Sequence, residues 1–198
     1  MACLWALTVR VHSRALLKAV FRFGGWQAPR AGAVNAALIA GNPPHKRLER
    51  LQRFWSLAPP HPDDCVSDTA RHARAWASVL RTRLDGVPGH FVPRLFQSSR
   101  GFVSTYDLGP MDGTLSNMID FDLLNSGAVR YSLLTTDLTT GEGLAFDTGK
   151  GDKIEMAHIL ASCGLPPEFA PVEIEDCMLG DGGLNANAPF GLVSAELE

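Results

Sequence analysis

Residues 27–44 read "QAPRAGAVNAALIAGNPP", and how this stretch folds decides the architecture. Residues 33–40 are alanine, valine, leucine, isoleucine and a single asparagine. Such a run has almost no polar face, which predicts a short, wholly buried helix. Residues 41–44 form a turn, because Asn-Pro-Pro lacks the amide donors that a continuing helix needs. A helix that apolar needs neighbours on all sides, and the rest of the chain must supply them.

The next stretch, "HKRLERLQRFW", puts Leu48, Leu51, Phe54 and Trp55 on one face of an amphipathic helix. "APPHPDDC" is a loop, after which Ser67 or Asp68 can cap a helix running to about Leu84. Its apolar positions are Ala73, Trp76, Ala77, Leu80 and Leu84, with Arg71, Arg74, Arg81 and Arg83 elsewhere around it. The usual fate of such a helix is to pack on a core with its charges solvated; the other is to lie in a membrane interface. Residues 86–117 are rich in Gly, Pro and Ser and read as irregular with short strands. "AVRYSLLTTDLTTGEGLAFDT" reads as a hairpin turning at residues 139–143. Residues 153–163 read as a helix stopped by Gly164-Leu165-Pro166-Pro167, and "VEIEDCMLGDGG" as a strand or hairpin ending on Asp181. Helices and strands mix, so the class is α/β.

The chain has 198 residues, 45% hydrophobic and 20% charged, which fits a soluble globular domain with a core of its own. The net charge of -3 hides an asymmetry. Residues 1–100 carry 15 Lys and Arg against 5 Asp and Glu; residues 101–198 carry 3 against 16. Either the halves neutralise each other by packing, or a basic face meets an anionic membrane. With pI near 6.1 and no recognition motif, nucleic acid is not an expected partner. Cys3, Cys65, Cys163 and Cys177 show no CxxC spacing, which argues for reduced thiols and against a zinc site or disulfide framework. No apolar run approaches the ~20 residues of a membrane span, so the expected location is cytoplasmic or peripheral to a membrane. The first acidic residue is Glu49, and residues 1–48 therefore have the composition of an organelle transit peptide.

Asp181-Gly182-Gly183 follows a short apolar run. A carboxylate at a strand end faces the cleft where α/β proteins bind ligands, and two glycines let the backbone bend and another group approach. In isolation the triplet is equally an ordinary turn. Its company is more specific: "GAVNAALIAGNPP", then "IDFDLLNSGAVRYSLLTTDLTTGEGLAFD", then "ASCGLPPEFAPVEI", then "DGGLNANAPF". This succession, from Gly32 to Phe190, resembles the bacterial patatin-like phospholipases. The resemblance implies a three-layer α/β/α hydrolase, here incomplete at its N-terminus, that cleaves lipid acyl esters with a Ser–Asp dyad and no cofactor or metal. The serine of that family stands in G-x-S-x-G on a strand-to-helix elbow, and the aspartate of D-G-G acts as general base. Carried over, Asp181 is the base, with Gly182 and Gly183 completing its motif. Gly32 is the last glycine of the elbow, and residues 33–40 are the helix behind it. Asn187 and Pro189 match the segment after the base. Ser162, on the helix before "LPP", is a packed helix residue rather than a substitute nucleophile. The implied partner is a lipid or acyl ester, with peripheral membrane contact.

The elbow is degenerate. Ala28-Pro29-Arg30-Ala31-Gly32 stands in its place, and Arg30 occupies the serine position. A guanidinium stays protonated and offers donors only, so it cannot attack a carbonyl. The oxyanion loop is missing too, since Gly24-Gly25 is too short and too near the elbow. Three explanations are open: a pseudoenzyme in which Arg30 pairs with Asp181, a non-catalytic lipid-binding or interaction module, and a shifted reading frame. The codons GGC ACC TCG GCC GGC spell Gly-Thr-Ser-Ala-Gly. One extra G after TCG makes the upstream frame read GCA CCT CGG, and Ala-Pro-Arg then precedes Ala-Gly as observed. The favoured division is therefore residues 1–30, non-homologous or out of frame, and residues 31–198, a partial patatin-like domain. A metal hydrolase built on His158, Asp176, Cys177 and Asp181 is disfavoured, because their spacing matches no usual ligand pattern.

Overall fold

A computed structural model describes residues 28–57, 68–94 and 104–185. Helix α1 spans Ala28–Ala40, a turn longer at its start than the expected 33–40, with Pro29 placed in the first turn where its missing amide is harmless. Every residue from Ala33 to Ala40 is buried, and Ala37, Leu38 and Ile39 are fully so. Asn35, the one polar residue of the run, accepts the indole N–H of Trp55 at 2.8 Å. That bond satisfies a group whose burial would otherwise be costly. Trp55 belongs to α2, Arg47–Ser56, which buries Leu51 and Phe54 and half-buries Leu48 and Trp55 against the same core, as its periodicity predicts.

Helix α3, Asp68–Asp85, departs from expectation. Its apolar positions do not pack on the core: Trp76 is 73% exposed, Leu80 60% and Leu84 62%. The helix meets the body of the protein through other groups. The Tyr106 hydroxyl donates to the Arg83 carbonyl at 3.3 Å, and the helix leaves its axis at Gly86, whose φ of +74° favours glycine. Beyond it, β1 (Val92–Pro93) pairs antiparallel with β2 (Tyr106–Asp107) beside a small cluster of Val87, Phe91, Tyr106 and Phe169. The region expected to be irregular also holds α4, Gly109–Ser116. Gly109, Pro110 and Gly113 conceal it in the sequence, yet Pro110 sits in the first turn, where proline suits a helix. A short α5, Phe121–Asn125, is capped by Asp120, which accepts the Leu123 amide at 3.0 Å.

The main sheet has four antiparallel strands in the order β4-β3-β6-β5. Strands β3 (Ser132–Asp137) and β4 (Gly143–Asp147) form the expected hairpin. β5 (Val172–Ile174) and β6 (Cys177–Asp181) form a second hairpin, whose turn residues Glu175 and Asp176 both have positive φ, as a tight two-residue turn demands. Helix α6, Met156–Cys163, starts after Glu155 rather than at Lys153 and stops at Gly164. It packs on β3, β5 and β6, and α1 packs on α6. The core joins α1 to Leu51, Phe54, Leu115, Leu124, Tyr131, Leu133, Ile159 and Cys163. The chain is thus mixed α/β, as its sequence predicts.

At the edge of the sheet Arg130 clamps Asp147. Nε donates to Oδ1 at 2.9 Å and to Oδ2 at 3.1 Å, and Nη2 also pairs with Oδ2. The same carboxylate accepts the Gly149 amide at 2.8 Å. The Arg130 hydrogen bonds outweigh the opposing effect of burial and hold the Asp147 carboxyl down at about 2. A depressed folded-state value means that the pairing stabilises the protein above the ordinary carboxylate range and is lost as pH falls through about 2.

Two outcomes are expected. Phe54→Ala, which empties a site touching Trp55 and His90, should lower unfolding stability by about 3–5 kcal/mol in urea titration. Asp147→Asn should cost on the order of 2 kcal/mol at neutral pH. Its deficit relative to the native chain should shrink as pH drops from about 4 towards 2; a deficit independent of pH would show that the ion pair is not its source.

Candidate functional site

Asp181 is the last residue of β6, an interior strand, and is only 4% exposed. Its backbone is tied on both sides. The Asp181 amide donates to the Gly164 carbonyl at 2.9 Å, and the Thr136 hydroxyl donates to the Asp181 carbonyl at 3.0 Å. Beyond it the chain turns through a 3-10 helix, Gly182–Leu184, and the Gly183 amide donates back to Asp181 Oδ1 at 2.8 Å. Leu179, two residues earlier, is buried, so the C-terminal half of β6 enters the protein interior.

Gly182 explains the motif. A Cβ there would lie 2.3 Å from the Leu134 carbonyl oxygen, a distance that no side chain tolerates. The same carbonyl accepts the Ser162 hydroxyl at 2.8 Å. Ser162 is therefore a packed residue that fastens α6 to β3, as its sequence position predicts. Asn185 closes the loop from outside, its Nδ2 donating to the Gly141 carbonyl at 3.0 Å in the β3–β4 turn. Sequence reading overlooked Leu134 and Asn185, because a backbone acceptor and a loop asparagine carry no motif.

Cross-strand register relates Asp181 to α1. Asp181 lies directly opposite Thr135 on β3, and directly opposed residues of an antiparallel pair share a sheet face. Strand alternation puts Leu133 and Tyr131 on the Thr135 face. Leu133 packs into the core with α1, and the Tyr131 hydroxyl donates to the Ala33 carbonyl at 3.0 Å. Burial, with the Cys163 thiol beside it, pushes the Tyr131 hydroxyl well above its ordinary value, which keeps it a neutral donor at physiological pH. The aspartate thus stands on the sheet face that α6 covers, with α1 packed on α6 and tied to β3 through Tyr131. Gly32 is buried in α1, and Arg30 lies in its first turn. The Arg30 side chain is outside the described residues, as are Asn187, Pro189, Cys3 and Cys65.

The residues considered for a metal do not converge. His158 Nδ1 accepts the Glu155 amide at 3.0 Å, its ring packs edge-on against Phe146 at 4.5 Å, and Asp176 is exposed in the β5–β6 turn. Among the described residues no cluster of His, Cys, Asp or Glu could hold a metal ion, and no helix is long and apolar enough to cross a membrane. Neither Cys163 nor Cys177 forms a disulfide. A surface cleft lined by Phe121, Asn125, Lys153 and Met156 opens at the start of α6, whereas Asp181 bonds to Gly164 just past its end.

A buried, largely aliphatic helix packed on α6, with α6 on an antiparallel sheet that ends in an aspartate-glycine turn, defines a mixed α/β protein. The family model for patatin-like phospholipases matches residues 31–193, and the chain belongs to that family, one of lipid acyl hydrolases. No curated protein sequence matches it.

Gly182→Ala should lower unfolding stability by about 2–3 kcal/mol, since the new methyl displaces either the loop or Leu134. Gly113→Ala in α4, with open space around it, is the control and should be neutral or stabilising by up to about 1 kcal/mol.

Proposed function

We propose that this chain carries the base half of a Ser–Asp lipid acyl hydrolase site, with Asp181 as general base and with no nucleophile in the polypeptide as it stands. The observation that carries the reading is the placement of Asp181: buried, followed by Gly182, and on the sheet face covered by α6, against which α1 packs. A serine hydroxyl is a poor nucleophile until a neighbouring base takes its proton, and an aspartate in a partly desolvated site can serve. The elbow position at the start of α1 would aim such a hydroxyl at an acyl carbonyl, and the positive end of the helix would stabilise the developing oxyanion. Arg30 occupies that position, so a lipid acyl ester presented to Asp181 is not attacked.

Residues 1–30 are best accounted for as translated out of frame. The family match begins at residue 31, directly after the Ala-Pro-Arg triplet that one inserted base would produce. The second reading is a non-catalytic lipid-binding module, favoured by the replacement of the nucleophile with a guanidinium at Arg30.

Purified native chain should show no turnover of p-nitrophenyl butyrate above buffer. Hydrolysis that vanishes in Asp181→Ala would reveal another nucleophile and refute the inactive reading. In the gene, the alternate frame upstream of the codon for Ala31 should encode a strand, a glycine-rich turn and an elbow serine. A chain made from the restored frame should hydrolyse the ester, and Asp181→Asn should reduce its kcat by about 10²–10⁴-fold. An alternate frame lacking those elements refutes the frameshift.

A further inference from the structure

The face of α3 that a soluble protein would ordinarily hide is turned to solvent. Trp76, Leu80 and Leu84 stand one above another at i, i+4 and i+8 and are 73%, 60% and 62% exposed. Ala73 and Ala77 extend the same stripe and are exposed as well. From Ala73 to Leu84 the stripe runs roughly 16 Å at about 1.5 Å per residue. The half-buried residues of this part of the helix are Ser78, Val79 and Thr82, on the opposite side of the wheel. Its apolar side therefore points away from the body of the protein, which it holds through the Arg83 carbonyl and the turn at Gly86.

We propose that this outward face of α3 is an interfacial anchor that seats the protein on an anionic lipid surface. Charge selects the occupant. At about 3.6 residues per turn, Arg83 borders the stripe on one side and Arg81 on the other, and both are exposed. Arg81 approaches Asp85 at 3.6 Å, but both side chains lie in water and the pair neutralises little. The helix carries four arginines, Arg71, Arg74, Arg81 and Arg83, against Asp68 and Asp85. An apolar stripe edged by arginines matches a bilayer surface: Trp76 and the leucines enter among the acyl chains while the guanidinium groups meet phosphates. A second copy of the chain is the poorer fit, because pairing two such stripes brings the arginine borders of both helices together. The inference rests on the lipid-directed reading above for the chemistry of the partner, but needs no nucleophile.

The test is co-sedimentation of the full chain with vesicles of phosphatidylcholine alone or mixed with phosphatidylglycerol. The native chain is expected to bind the mixed vesicles and to be released by salt. Trp76→Ser with Leu80→Ser should weaken partitioning by at least about tenfold without shifting the melting temperature downwards, since both side chains are already in water. Arg81→Gln with Arg83→Gln should lessen the preference for phosphatidylglycerol. Equal binding by the native chain and the serine variant would overturn the proposal. So would failure of the native chain to bind the mixed vesicles. A native dimer that the serine variant converts to monomer would overturn it in favour of self-association. The hydrolase reading fails separately: a frame-restored chain that binds vesicles through α3 but never cleaves a soluble ester would leave the anchor standing and remove the dyad.

Discussion

The carbonyl of Leu134 is where this structure is pinned. Ser162 on α6 donates to it, and Gly182 passes so close above it that only a hydrogen fits in place of a side chain. One backbone oxygen therefore joins the central strand β3, the helix on the sheet and the loop after β6. Because Gly182 can approach so closely, the Gly183 amide folds back onto the Asp181 carboxylate, and the carboxylate is held in one orientation.

On the far side of α6 the constraint is one of volume. Residues 33–40 of α1 are alanine and branched aliphatic residues apart from Asn35, which lets the helix lie close against α2 and α6. The single polar side chain of residues 33–40, Asn35, is matched by the Trp55 indole, and the Ala33 carbonyl by the Tyr131 hydroxyl. Helix α1 is thus tied to α2 through Trp55 and to the main sheet through Tyr131.

Much of this was legible in the sequence. The buried helix, the amphipathic α2, both hairpins and the stop at Gly164 follow from periodicity and turn residues, which are local properties. The aspartate was legible as a candidate from its two glycines and from the order of the segments around it. Helix α4 was not, because its glycines and proline look like loop composition. Its helical state depends on Pro110 falling in the first turn and on Leu115 reaching the core. The orientation of α3 was not legible either. Its wheel shows an apolar side, but which side faces the protein depends on how its far end is held at Gly86 and Tyr106.

The amino-acid sequence by itself determined that the chain is mixed α/β and that residues 33–40 must be enclosed. Those are matters of residue chemistry and short-range pattern. Only the tertiary structure decided that Asp181 stands on the sheet face that α6 covers, that Gly182 is required by the Leu134 carbonyl, and that Trp76, Leu80 and Leu84 look outward. Each of these depends on strand register or on the rotation of a whole helix, and both are set by contacts between segments far apart in the chain.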